Sequence, residues 1–153
     1  MKKQKDFVKE LSKRIIQEIK PYCKKIQVAG SIRRKEPNPV DIDFVLIPKD
    51  KDKIFSYLKK KGKFIQGGEK RASFKIKRTK VELYFTTSKS WGATLLAYSS
   101  KTGSAIGLRV VAKRKGLHLN QYGLFKKGKY IAGKTEREIY KALGRPWKVP
   151  EKR

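Results

Sequence analysis

The sequence predicts an α/β fold, more exactly α+β: a mixed β-sheet with helices on one side, followed by a small α+β C-terminal subdomain. Three observations predict it. Two segments, "VDIDFVLI" at 40–47 and "VELYF" at 81–85, alternate as strands do. Helical apolar spacing precedes the first of them and lies between the two. After residue 88 the texture changes to short helices, a hairpin and a proline-punctuated tail, so residues 1–88 and 89–153 read as two subdomains.

In chain order, "KDFVKELSKRIIQEIK" at 5–20 places Phe7, Val8, Leu11, Ile15, Ile16 and Ile19 at helical spacing, and Pro21 marks its end. Residues 25–29 read as a short strand ended by Gly30. In 40–47, Val40, Ile42 and Phe44 share one face, and Asp41, Asp43 and Val45 the other. Asp50 or Asp52 caps a helix over roughly 52–61, with Gly62 at its end. "KFIQGG" and "RASFKIK" are strand pieces, and "KRTK" turns into 81–85. There Val81, Leu83 and Phe85 oppose Glu82 and Tyr84.

Further on, "WGATLLAYSS" and "SAIGLRVVAKRKG" read as helices. "LHLNQYGLF" and "KYIAG" form a hairpin turning at "KKGK". Thr135 and Glu138 fit a capping box for a helix over 136–143.

Charge is the strongest bulk property. Against 13 Asp and Glu stand 41 Lys and Arg, a net charge of +28 in 153 residues. It is not a tail: residues 101–153 carry +12 and the first 100 carry +16. Such a surface attracts polyanions through counterion release, and nucleic acid is the expected partner. No apolar run approaches the ~20 residues of a membrane span, no basic helix shows an exposed aromatic face for a membrane surface, and "MKKQKDFVKE" lacks the apolar core of a secretory signal. The single cysteine, Cys23, permits no internal disulfide and fits a reducing, intracellular setting. Cys23, with no activating base in view, His118, between Leu117 and Leu119 in an expected strand, and Trp91 and Trp147 read as structural residues.

Against this background, Asp41 and Asp43 stand two residues apart on one strand face. Bare, they would repel; a divalent cation reverses that logic. Mg²⁺ is commonly held by one or two carboxylates together with substrate phosphate oxygens. Glu82, on the second alternating strand, supplies a third carboxylate for a two-metal site. Upstream, Gly30 permits close backbone approach, Ser31 offers a hydroxyl and an amide, and Arg33 or Arg34 can fork onto a phosphate oxygen. Together these make a coherent nucleotide site.

"AGSIRRKEPNPVDIDFVLIP" resembles the Gly-Ser…Asp-x-Asp signature of the DNA polymerase beta nucleotidyltransferase superfamily, and specifically of the X family of DNA polymerases. "KVELYFTTSKSWGATLLAYSS", "GLRVVAKRKGLHLNQYGLF" and "IAGKTEREIYKALGRPWKVPEKR" resemble later motifs of that family, in the same order, from about residue 7 to the end. The resemblance implies a nucleotidyltransferase palm over 1–88 and a thumb-like subdomain over 89–153. It is similar to the short viral members, without the N-terminal lyase and helix-hairpin-helix regions of larger ones.

It implies that Asp41 and Asp43 ligate both Mg²⁺ ions, with Mn²⁺ able to substitute. Glu82 takes the third-carboxylate position beside the primer 3′-hydroxyl. Gly30 and Ser31 bind the β- and γ-phosphates, Arg34 pairs with the triphosphate, and Tyr98 packs against the incoming sugar and base. Arg109 reaches the template-strand minor groove, and the basic run with Lys113 and Arg114 contacts DNA phosphates. The implied partners are primer–template DNA and dNTP, and the expected state is a monomer.

Three departures stand out. Glu82 replaces the usual Asp, Ala97 stands at a Tyr position, and Ala105 stands where an asparagine contacts the nucleotide. A second triphosphate-binding arginine has no counterpart, leaving Lys2, Lys3 or Lys5 as substitutes. The expected activity is template-directed dNMP addition in repair gap filling. The rivals are template-independent transfer, transfer to RNA or a small acceptor, and a DNA-binding module with impaired catalysis.

Overall fold

The computed structural model describes residues 2–153, with side chains from residue 6 onward; the side chains of Lys2, Lys3 and Lys5 lie outside the described set. The chain divides into two compact units, Met1–Phe85 and Thr86–Arg153.

The first unit opens with helix α1 (Lys2–Ile19), ended at Pro21, whose missing amide hydrogen and ring prevent its extension. Strand β1 (Cys23–Val28), a single-turn helix α2 (Gly30–Arg33) and β2 (Ile42–Pro48) follow. Helix α3 (Lys51–Lys61) is capped by Asp50, whose Oδ1 accepts from Lys53 N at 3.1 Å. Then come β3 (Lys63–Gly67), β4 (Arg71–Ile76) and β5 (Thr79–Phe85).

The five strands form one sheet in the order β1-β2-β5-β4-β3. β2 and β5 are parallel; every other neighbouring pair is antiparallel. One face buries Ile42, Phe44 and Leu46 of β2, Phe74 and Ile76 of β4, and Val81 and Leu83 of β5. Val8, Ile15 and Ile19 of α1 and Ile54 and Leu58 of α3 pack into the same core. The helices therefore cover one face, as the alternation predicts, and the residues between the core positions point to the other.

The expected strand over 40–47 begins two residues late. Asp41 occupies a bend before β2, and Val40 is 59% exposed rather than on the core face. The ladder explains this: β1 ends where Val28 pairs with Phe44, and Ala29 N makes the last bond, 2.7 Å to Asp43 O. Beyond Ile42 no partner remains on that side to hold Val40 in the sheet.

The second unit contains α4 (Trp91–Ser99), α5 (Thr102–Arg114), a three-stranded sheet of β6 (His118–Asn120), β7 (Gly123–Lys126) and β8 (Lys129–Ala132), and α6 (Glu136–Ala142). The turn at "KKGK" holds Lys127 and Gly128 both at positive φ, as a two-residue hairpin requires. "LHLNQYGLF" is not one strand but two, broken where Asn120 Oδ1 accepts from Tyr122 N at 2.8 Å. Thr135 caps α6 by accepting from Glu138 N at 3.1 Å, while Glu138 reaches back to Lys134 N.

This unit has its own core of Ala93, Leu96, Ala112, Leu119, Leu124, Ile139, Tyr140 and Leu143. Gly92 is required there, since a β-carbon would strike the backbone of Thr135. Trp147 packs edge-on against Tyr140, with Arg137 and Arg153 over its ring. Arg153 is buried and donates to Glu136 Oε2 at 2.7 Å. Among the described residues, no helix is long and apolar enough to cross a membrane.

Candidate active site

The parallel pairing of β2 with β5 sets Asp43 directly beside Glu82. Side chains on adjacent parallel strands at the same register share a face, and here it is the face turned away from α1 and α3. Asp41 lies just before the strand and is exposed.

Asp43 is half-buried, and its carboxyl is pushed up to about 6. Burial is the main cause, followed by the charges of Glu82 and Asp41; Arg34 and a 3.5 Å hydrogen bond from Tyr84 Oη oppose it. The three carboxylates therefore repel one another across one small volume.

Gly30 closes this volume from the β1 side. It has φ +59, and a β-carbon there would overlap Asp43 Oδ2 and lie 3.0 Å from Asp43 Cγ. Its backbone thus rests against the carboxylate. Ser31 follows in α2, half-buried. Arg34, at the C-terminal end of α2, donates through Nε and Nη2 to the two Glu36 carboxylate oxygens, each at 3.4 Å. Glu36 thus positions the guanidinium, whose charge reaches Asp43.

Glu82 is engaged differently. Its side chain is 4% exposed. Oε2 accepts from Ser73 Oγ at 2.7 Å and from Arg71 Nε at 3.0 Å; Lys80 Nζ lies 3.0 Å from Oε1. Burial works to raise this carboxyl, but Arg71, Ser73 and Lys80 outweigh it and hold it below the ordinary range. Oε1 is buried, and its near neighbour is the Lys80 ammonium.

A hard divalent cation suits this donor set: only carboxylate oxygens, mutually repelling, with Gly30 leaving room at Asp43. Among the described residues no three acidic, histidine or cysteine side chains close into a ready cage. Asp41 and Asp43 are the available pair, with Glu82 the register neighbour of Asp43 and ligand oxygens needed to complete the shell.

The remaining predicted residues belong to the second unit. Tyr98 is half-buried on α4; Arg109, Lys113 and Arg114 are exposed on α5. Arg109 and Lys113 stand one turn apart, on one helix face. Sequence reasoning missed Tyr84, Arg71 and Ser73. Their signal was available in "RASFKIKRTKVELYF": a tight turn at Lys77-Arg78 pairs Ser73 with Glu82 and Arg71 with Tyr84.

The sequence profile of the DNA polymerase beta thumb matches residues 94–153. Over 148 residues the chain is 31% identical to Repair DNA polymerase X of African swine fever virus, isolate Pig/Kenya/KEN-50/1950. That match covers 88% of this chain and 84% of the relative. The namesake from isolate Tick/South Africa/Pretoriuskop Pr4/1996 is 30% identical over 151 residues, with the same coverage. The chain belongs to the X family of DNA polymerases. The mixed sheet with helices, followed by a small α+β unit, fits the polymerase beta-like fold. The thumb match begins within α4 and runs to Arg153, through α5, the small sheet and α6.

Proposed function

We propose that this X-family polymerase adds dNMP from a dNTP to the 3′-hydroxyl of a DNA primer, releases pyrophosphate, and fills gaps in DNA repair. The observation that carries the reading is the Gly30–Asp43–Glu82 arrangement. A glycine backbone packs on one carboxylate, whose register neighbour on the next strand is another.

Asp41 and Asp43 would hold Mg²⁺, or Mn²⁺, with Glu82 as the third carboxylate. When bound, two such ions clamp the attacking and leaving oxygens of an in-line phosphoryl displacement. The protein supplies position and charge. Gly30 and Ser31 offer backbone amides and a hydroxyl to the β- and γ-phosphates, and Arg34 neutralises the triphosphate. Arg71 and Ser73 fix Glu82 through Oε2, and Lys80 holds it through Oε1. Arg109, Lys113, Arg114 and the general positive charge grip DNA, and Tyr98 packs against the incoming nucleotide. Binding then falls steeply with salt. The working form is a monomer in an intracellular setting.

Primer extension on gapped and blunt DNA, with each dNTP in turn and Mg²⁺ or Mn²⁺, tests the reading. Incorporation that follows the template base is the expected result. Incorporation regardless of template would identify a terminal transferase, and DNA binding without incorporation a binding module.

A further inference from the structure

Strand β3 ends its sheet, in the order β1-β2-β5-β4-β3, and among the described strands it pairs with β4 alone. The backbone donors and acceptors on its outer side therefore meet no neighbouring strand. All five of its residues are exposed. Two of them are large and apolar: Phe64 is 40% exposed and Ile65 47%.

Sheet edges are ordinarily blunted by charge, by a bulge or by a covering element. Here Lys63 supplies charge, and Ile65 is the extra residue of a bulge between the Phe64–Phe74 and Gln66–Ser73 pairs. Both oppose pairing with a second copy of the chain, as does a net charge of +28. Neither accounts for two apolar side chains left in solvent on the same edge.

The two sides of this edge differ in chemistry. Phe64 stands opposite Phe74 on the core side, with Phe55 of α3 edge-on to it, so the apolar cluster runs out to the rim of the sheet. Lys63 stands opposite Lys75 on the other side, and both are exposed. Among the described residues neither has a carboxylate partner. Like charges in register repel across a ladder, and a carboxylate on an added strand offsets that repulsion. Residues 59–78 hold nine basic side chains and one acidic, Glu69. Single-stranded nucleic acid, which stacks its bases on exposed rings, fits less well: the Phe64 ring already meets Phe55, Phe74 and the Lys59 ammonium, 5.1 Å from its centroid.

We propose that the free edge of β3 is a docking strand for a partner protein, which adds an extended segment of alternating apolar and acidic residues as a sixth strand of the sheet. Main-chain hydrogen bonds to β3 hold the segment. Its apolar residues extend the Phe55–Phe64 cluster, and its carboxylates lie beside Lys63. The carboxylate centre lies on β2 and β5, so the proposal stands apart from the polymerase reading.

The test uses the full chain and a peptide of alternating valine and glutamate, about eight residues long, an ordinary strand length. Amide hydrogen exchange is followed residue by residue, with and without the peptide. Exchange within 63–67 is expected to slow by about tenfold or more at saturation. A fully N-methylated peptide, equal in charge but without donors, should leave it unchanged. A serine–glutamate peptide should bind about tenfold more weakly, because it lacks the apolar side chains. Lys63→Glu, with its fold verified by thermal unfolding, should weaken binding of the valine–glutamate peptide about fivefold. Peptide binding with no slowing at β3 overturns the proposal, as does equal binding of the N-methylated peptide. Protection of β3 without peptide, together with a dimer in sedimentation, assigns the edge to a second copy and overturns it too. Equal protection by single-stranded DNA does the same in favour of nucleic acid.

Discussion

Gly30 lies against the carboxylate of Asp43, with space for a hydrogen atom and none for a methyl group. Two constraints meet at this residue. Its φ of +59 disfavours any side chain, and the direction a side chain would take is occupied by Asp43 Oδ2.

Gly30→Ala is therefore expected to cost about 1–2 kcal/mol in stability from backbone conformation alone. It should also displace Asp43 and lower incorporation by at least about a hundredfold, since misplacement of a reacting group by about 1 Å has that effect. Urea unfolding and single-nucleotide incorporation measure the two separately. Native-like activity in Gly30→Ala would contradict the close packing.

Asp43 carries a pH dependence with a definite sign. Its carboxyl is raised to about 6 in the fold, above an ordinary value near 4. The folded chain thus binds a proton that the unfolded chain releases. That stabilisation is complete below about pH 4 and is lost as pH rises through about 6, a contribution of at most about 3 kcal/mol. Asp43→Asn should consequently be more stable than the native protein at pH 7.5 and about equal at pH 4, while losing incorporation. Denaturation at both pH values decides it; equal destabilisation at both would refute the assignment.

Glu82 has the opposite sign. Its carboxyl is held below the ordinary range, so its contribution is present above about pH 4.3 and fades as pH falls through the lowered value. Glu82→Gln should destabilise the protein by about 1–3 kcal/mol at pH 7, because Arg71 and Ser73 lose a charged acceptor. The penalty should shrink in acid. Glu82→Asp, one methylene shorter, should retain part of the activity while loosening the contact with Ser73.

Arg34 is presented to the site by Glu36. Arg34→Ala should raise KM for dNTP tenfold or more, consistent with loss of a charge-assisted phosphate contact of about 1.5–3 kcal/mol. Arg34→Lys should restore it only in part, because an ammonium lacks the planar fork. Steady-state kinetics with gapped DNA checks both, and full rescue by lysine would show that charge alone suffices.

Much of the candidate site is legible in local sequence. "AGSIRRKEPNPVDIDF" carries a glycine that packs on Asp43, a serine and arginines beside it, and two carboxylates ahead of an apolar strand. Those are properties of residue type and spacing, and the core faces of β2 and β5 follow from alternation. The overreach at Val40 shows where local pattern stops: apolar alternation continues to residue 40, but the strand ends where its partner β1 ends.

The sequence by itself determined the order of elements, their helical or extended character, the overall charge and the chemistry of the carboxylate motif. Each depends on near neighbours in the chain. Only the tertiary structure decided that β5 inserts beside β2, which makes Asp43 and Glu82 neighbours although 39 residues separate them. It also decided that Arg71 and Ser73 hold Glu82, and that β3 ends the sheet with an exposed edge. Strand order and register arise from closing a common core, and a shift of one residue would turn every one of these side chains to the other face.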